Sequence, residues 1–223
     1  SDLKSKGISM TKKLLFLVGW LGVAACYGQT TFYYVAHNPP DSGHPYTNWD
    51  IAATNIQDAV NAATNAGERV VVISNGTYML NDHVWITNAL HLRGVSDDPA
   101  QVILNGNNYP GKPVTNRCLI VSNAAARLTA LTLTGGVALA EVLSGDGGGV
   151  WFYGAMISNC VVTGNEAQRY GGGIYRSTIT LPSIAECIIE NNKASDGGGS
   201  YMEAATTQGI LQNCIIRGNT CAN

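Results

Sequence analysis

A right-handed parallel β-helix with a short N-terminal capping helix is the fold this sequence predicts, all-β and about six coils long, and three observations predict it. First, Cys160, Cys187 and Cys214 lie 27 residues apart, and each opens a near-copy of one phrase: Cys160-Val-Val-Thr-Gly-Asn165, Cys187-Ile-Ile-Glu-Asn-Asn192 and Cys214-Ile-Ile-Arg-Gly-Asn219. Second, the triads beginning at Gly147, Gly171 and Gly197 interleave with these phrases at intervals of 24 and 26. Third, the runs between them are short and β-branched, with Gly and Asn turns and no helical period. A repeat of this length, in which each unit contacts only its neighbours, forms a solenoid.

Composition agrees with this architecture. Hydrophobic residues make up 45% of the chain and charged ones 13%, about half the usual ~25%, which excludes a disordered, charge-driven polypeptide. The formal net charge of -2 supplies no cationic field for a phosphate backbone, so nucleic acid is not an expected partner. With 26 Gly and only 3 Phe in 223 residues, the chain builds from turns and small residues.

In chain order, residues 1–28 read as a leader. Met10-Thr-Lys-Lys13 is a basic start, and Leu14 to Ala25 is an apolar run typical of a secretory signal. The run is shorter than the ~20 residues that span a bilayer, so no transmembrane helix is expected in the mature chain. Two processing routes are open. Val23-Ala-Ala-Cys26 resembles a lipoprotein box, which would lipidate Cys26 and hold the protein on a membrane, whereas cleavage after Gly28 would release a chain starting at Gln29. Release is preferred, because an extended segment begins at Thr31 and leaves little tether. Either route implies export to the cell surface, the outer membrane or the medium.

Residues 29–69 then carry a strand, a loop and a helix. Thr54-Asn-Ile-Gln57 has capping-box spacing, and Ile56, Ala59, Val60 and Ala63 follow one helical face up to Gly67. A solenoid end exposes apolar cross-section and unpaired strand edges; a short amphipathic helix would cover both. Residues 70–223 form the solenoid, entered from Arg69. Strand-like phrases follow at Arg69 to Ser74, Asn75 to Tyr78, His83 to Ile86, Leu90 to Arg93, Gln101 to Leu104 and Cys118 to Val121.

Within the stack, the slot of Cys160, Cys187 and Cys214 also accepts Leu131, which makes it a buried apolar position filled by inward thiols. Asn165, Asn192 and Asn219 should form a ladder at a turn, bonding backbone groups and tolerating left-handed φ. The chain ends just after the third Asn phrase without a polar cap, and so reads as the N-terminal part of a longer protein.

The succession Asn55-Ile-Gln-Asp-Ala-Val60, Val70-Val-Val-Ile-Ser-Asn-Gly-Thr-Tyr78, Leu90-His-Leu-Arg-Gly94, Val102-Ile-Leu-Asn-Gly106 and Leu131-Thr-Leu-Thr-Gly-Gly136 resembles the opening of bacterial right-handed parallel β-helix proteins of the pectin-lyase-like superfamily. The resemblance spans roughly residues 31 to 223. The Gly-Gly-Gly-Ile phrases with downstream Asn also resemble the repeats of chlamydial polymorphic outer-membrane proteins, with Gly in place of their Ala and Cys where their Phe would stand. The resemblance implies the fold. It leaves function open among lyases, hydrolases, esterases and adhesins.

Residue chemistry narrows this choice only partly. A lyase would need clustered carboxylates for Ca²⁺ and a base for the proton α to the uronate carboxyl group. Asp146 and Asp196 share the slot before the Gly triads, but Tyr170 fills the coil between them, which puts the acids roughly 9 to 10 Å apart. Arg169 and Arg176 flank that middle coil without an acidic cluster, and Asp97 with Asp98 reads as a turn. A hydrolase would need two carboxylates ~5 to 9.5 Å apart, for which Asp146, Glu166, Glu186 and Glu190 are scattered candidates. His37, His44, His83 and His91 have no zinc spacing, and His37, Asp41 and His44 lie in a Pro/Gly-rich loop. The Gly triads read as structural punctuation, not phosphate cradles. No metal or cofactor is implied, apart from Ca²⁺ if the lyase alternative holds.

One outward feature stands out. Val150, Ile174 and Ser200 should point inward, and strand alternation then sends Trp151, Tyr175 and Tyr201 outward as an aromatic ladder. Such rings stack on sugars or anchor a protein partner; alternatively they shield the sheet. The sequence therefore reads as a monomeric, non-catalytic adhesion or glycan-contact module that engages a polysaccharide, a surface glycan or a protein. A polysaccharide-degrading enzyme and a structural spacer are the alternatives.

Overall fold

A computed structural model describes residues 29–64, 67–106, 116–140, 143–177, 183–203 and 210–221. The leader expected at 1–28, with Cys26, lies outside the described residues. Among those residues no helix is long and apolar enough to cross a membrane.

Among the described residues every strand pairing is parallel, and the pairs stack into faces. The first face has seven strands, in the order Thr31–Val35, Arg69–Ile73, His91–Gly94, Arg127–Thr129, Met156–Ser158, Ser183–Ala185 and Ile210–Gln212. The second has six: Gly76–Met79, Val102–Asn105, Thr132–Thr134, Val161–Thr163, Ile188–Glu190 and Ile215–Arg217. The third has five, Val84–Ile86, Leu119–Val121, Val150–Phe152, Ile174–Arg176 and Ser200–Met202. Between the second and third faces runs a short sheet of four two-residue strands, Val137–Ala138, Glu166–Ala167, Lys193–Ala194 and Thr220–Cys221. The described residues thus wind through five complete turns and begin a sixth. This is the parallel β-helix that the 27-residue repeat predicts.

Period-2 alternation fills the interior. Val71, Leu92, Leu128, Ile157 and Ile184 are consecutive partners on the first face, and each is fully buried. Leu104, Leu133, Val162 and Ile189 form the matching column on the second face. Burying such a side chain contributes roughly 1.5 to 3 kcal/mol, so these columns supply a large part of the cohesion. The last described coil contrasts with them: Leu211 and Ile216, which continue the two columns, are 40% and 48% exposed.

Corners explain the repeat phrases. Between the first and second faces a single residue takes a left-handed conformation, Ala130, Asn159, Glu186 or Asn213 in successive coils. Leu131, Cys160, Cys187 and Cys214 follow it directly. The N–H groups of Val161, Ile188 and Ile215 donate to the carbonyls of Leu131, Cys160 and Cys187, at 2.9 Å in each case. The cysteines therefore stand in one column, buried at Cys160 and Cys187 and partly exposed at Cys214, with free thiols.

Asn165, Asn192 and Asn219 also align. Each Nδ2 donates to a carbonyl one coil back: Asn165 to Leu133 at 3.0 Å, Asn192 to Val162 at 2.9 Å, Asn219 to Ile189 at 2.8 Å. The Oδ1 of Asn192 accepts from the backbone N–H of Asn165, and that of Asn219 from Asn192, both at 3.0 Å. The ladder ends where Gly136 occupies the Asn slot and donates to Asn165 Oδ1 at 2.8 Å. One expectation is corrected here. The left-handed residues are Gly164, Asn191 and Gly218, each just before the ladder Asn. The ladder side chains themselves point into the stack, so the turn strain falls on the small or locally bonding residue before them.

The Gly triads serve close approach. Gly171, at φ 64°, makes the left-handed turn, and a Cβ on Gly172 would land on the carbonyl oxygens of Lys193 and Gly198. Backbones of successive coils meet there without room for a side chain.

At the N-terminal end the helix Ile56–Ala62 lies over the stack with Ile56, Ala59 and Val60 buried. Its cap differs from the expected box: Asn55 accepts from the Gln57 N–H at 2.8 Å. The Gln57 amide instead reaches the third face, where its Oε1 accepts from Trp85 N–H at 2.7 Å and its Nε2 donates to Trp85 C=O at 3.2 Å. One side chain thereby imitates a neighbouring strand on an open sheet edge.

Candidate functional site

Register on the third face brings Trp151, Tyr175 and Tyr201 into one column. Val150 and Ile174 are fully buried, as alternation requires, and the three aromatics point the other way. Their rings stack, with centroids 6.3 Å apart for Trp151–Tyr175 and 6.0 Å for Tyr175–Tyr201. Tyr175 departs from the expected exposure. It is only 6% exposed, because Tyr170 leans across the column, 6.5 Å from Tyr175 and 4.4 Å from Tyr201. The Arg169 guanidinium in turn sits 4.9 Å over the Tyr170 ring, a cation–π contact.

The column continues toward the N-terminus. Trp151 pairs with Ile120, and Ile120 with Trp85. Trp85 is 44% exposed and Ile120 is buried. Where the aliphatic residue replaces an aromatic one, a cavity of about 260 Å³ opens, lined by Trp85, Arg117, Ile120, Ser144 and Trp151. A larger cleft of about 670 Å³ lies on the other side of Trp85, beside the helix, with Gln57, Asp58, Asp82 and His83 in its walls.

Buried charge supports the rim of the smaller cavity. Arg117 is 1% exposed, and its Nε donates to the Asp146 carbonyl at 2.7 Å. Burial pulls its guanidinium down to about 10, opposed by the Asp146 charge, so it stays cationic at neutral pH. Asp146 is itself buried, and its Oδ1 lies 3.6 Å from Arg169 Nε without a hydrogen bond. Further along the column the Tyr175 hydroxyl donates to Glu203 at 3.1 Å. Burial first, then Glu203, pushes that phenol up to about 12.

The other sequence candidates do not converge. Gly147 N–H donates to Tyr170 C=O and Gly171 N–H to Asp196 C=O, so Asp146, Tyr170 and Asp196 occupy successive coils and the two acids do not meet. Arg176 is buried in the inward column between Phe152 and Met202, not on the outer face. Glu166 pairs with Lys193 at 2.8 Å and Glu190 with Arg217 at 2.7 Å, each one coil apart on the outside. Glu186 is a corner residue. Asp97 meets Arg93 at 3.1 Å, and Asp98 caps the turn at Pro99–Gln101. The four histidines sit apart: His37 stacks on Tyr78 at 4.2 Å, His44 packs edge-on to Tyr46, His83 contacts Asp82 and His91 bonds Thr129. Among the described residues no group of three His, Cys, Asp or Glu side chains converges as a metal site.

The sequence placed Tyr170 in its coil without its packing on the aromatic column, and it did not single out Trp85 or Ile120. The alternating run His83 to Ile86 carried a signal for Trp85, but only the register assigns it to the aromatic column.

The chain matches no protein-family model and no curated protein. Two solved structures are similar to it. One is the pectin methyl esterase of rice weevil, with 16% identity and a TM-score of 0.44 over 64% of this chain and 49% of that one. The other is Escherichia coli YbhC, with 15% identity and a TM-score of 0.46 over 86% of this chain and 56% of that one. The chain thus spans about half the length of each.

Proposed function

We propose that this β-helix is a non-catalytic glycan-contact module of an exported, cell-surface protein. The observation that carries the reading is the in-register column Trp85, Ile120, Trp151, Tyr175 and Tyr201 on the outside of the third face. Aromatic rings bury large area at small entropy cost, and a column set by the backbone is organised before any ligand arrives. The leader-like residues 1–28 and the likeness of the Gly-Gly-Gly-Ile phrases to chlamydial outer-membrane repeats support a surface location.

The test compares wild type with a Trp151→Ala, Tyr201→Ala double variant on a glycan array. Tyr175 stays in place because it is buried. The variant should lose most of the wild-type signal while keeping its melting temperature within a few degrees. Equal signals from both proteins would remove the aromatic face from consideration, and a silent wild type would favour the spacer reading.

One observation favours the enzymatic alternative, a polysaccharide-degrading activity: the buried Asp146 carboxylate beside the aromatic column. Incubation with polygalacturonate and Ca²⁺ separates the readings, since unsaturated product would establish a lyase.

A further inference from the structure

We propose that the gap in the aromatic column, between Trp85 and Trp151 over Ile120, is a subsite for a single uncharged pyranose ring. This rests on the glycan-contact reading and assigns it a place and a chemical class.

Spacing is the first argument. Adjacent coils lie ~4.8 Å apart, so a two-coil step is roughly 9.6 Å. A ring packed at van der Waals distance, about 3.5 to 4 Å, from an aromatic wall on each side needs roughly 7 to 8 Å between the walls. One coil step is too small for an inserted ring, and two are enough for one ring only. From Trp151 onward every coil carries an aromatic, and those rings occupy one another's faces at 6.3 and 6.0 Å. Only at Ile120 does the column leave a two-coil step between aromatics, and there the 260 Å³ cavity opens.

Lining chemistry is the second argument. Two indoles and Ile120 make the walls and floor, and the lining is almost wholly apolar, because Arg117 is 1% exposed and turns its Nε to the Asp146 carbonyl. Facing apolar walls that open to solvent suit a pyranose, whose C–H faces pack on aromatic rings while its hydroxyls radiate from its edge into water.

Charge is the third. Arg117 faces the Asp146 charge, and Asp146 also lies 3.6 Å from Arg169. The neighbouring His83 is held below its ordinary value, first by burial and also by the Arg117 charge, against the Asp82 carboxylate that pulls it up. Arg117 is 1% exposed with its Nε on the Asp146 carbonyl, and Arg169 is not among the residues that line the cavity, so the described lining presents no accessible charge to a uronate or sulfate. The occupant that fits is an uncharged sugar.

Tryptophan fluorescence titrations with cellohexaose, mannohexaose, xylohexaose and chitohexaose, beside hexagalacturonate, test this on the full chain. Wild type should bind at least one neutral hexasaccharide with an indole spectral shift. Trp85→Ala, at an exposed position, should weaken that binding about tenfold or more, and Ile120→Trp, which fills the gap, should do the same. Met156→Ala, on the first face and 44% exposed, should change it by no more than about threefold. Neutral-sugar binding that survives both Trp85→Ala and Ile120→Trp would overturn the subsite while leaving the aromatic face as a contact surface. Tighter binding of hexagalacturonate would overturn the neutral assignment. Failure of wild type to bind any of the five probes would overturn both.

Discussion

The two ends of the aromatic column use the same rings differently. From Trp151 to Tyr201 each coil carries an aromatic, Tyr170 leans over them, and the faces are spent on one another. Toward the N-terminus Ile120 interrupts the series and a cavity replaces a stack. The same division runs through the rest of the molecule. The coils from Met156 onward hold the Asn ladder and the column of Cys160, Cys187 and Cys214, whereas the coil before them carries Gly136 in the Asn slot and Leu131 in the Cys slot. Strict repetition gives each coil the same contacts with its neighbours, which stabilises. A recognition surface arises where one column skips a step, in keeping with functional sites appearing where local regularity fails.

The largest expected effect lies in the regular half. Asn192→Ala removes the donor to Val162 C=O and the acceptor for Asn165 N–H, both in a buried environment. Leaving buried partners unsatisfied costs ~1 to 3 kcal/mol each, so chemical denaturation should show a loss of roughly 2 to 5 kcal/mol. Asn219→Ala, at a partly exposed rung, should cost clearly less. Equal losses at both rungs would show that burial does not set the strength of the ladder.

A smaller effect belongs to the earlier coils. His83 and His91 are both held below their ordinary value of 6.5, chiefly by burial. Below that pH the unfolded chain binds more protons than the folded one, so stability falls as pH drops through 6.5 and is fully present above it. Melting temperature should therefore decrease between pH 7.5 and 5, and His91→Gln should reduce the slope. A flat profile over this range would contradict the assigned burial of the two rings.

Much of this was legible in the sequence, for a physical reason. Stacking makes spacing equal to position, so 27-residue intervals place Cys160, Cys187 and Cys214 in a column, and intervals of 24 and 26 do the same for Trp151, Tyr175 and Tyr201. Trp85 escaped because 35 residues separate it from Ile120 and 31 separate Ile120 from Trp151. Chain inserted between faces changes the count without changing the register. Tyr175 escaped in another sense: alternation gave its direction, but its burial depends on Tyr170, whose slot holds Asp in the coils on either side. Gln57 matched a capping pattern and was used instead to close a sheet edge.

The central claim is that a sugar ring enters the gap in the column. Indole N–H resonances report this directly, because Trp85 and Trp151 border the gap and Trp49 packs against Tyr34 in the N-terminal segment. On titration with a neutral hexasaccharide that the protein binds, the Trp85 and Trp151 signals should shift together and saturate at the same concentration, with Trp49 unmoved. A saturating shift at Trp49 alone, or at Trp151 without Trp85, would contradict the account.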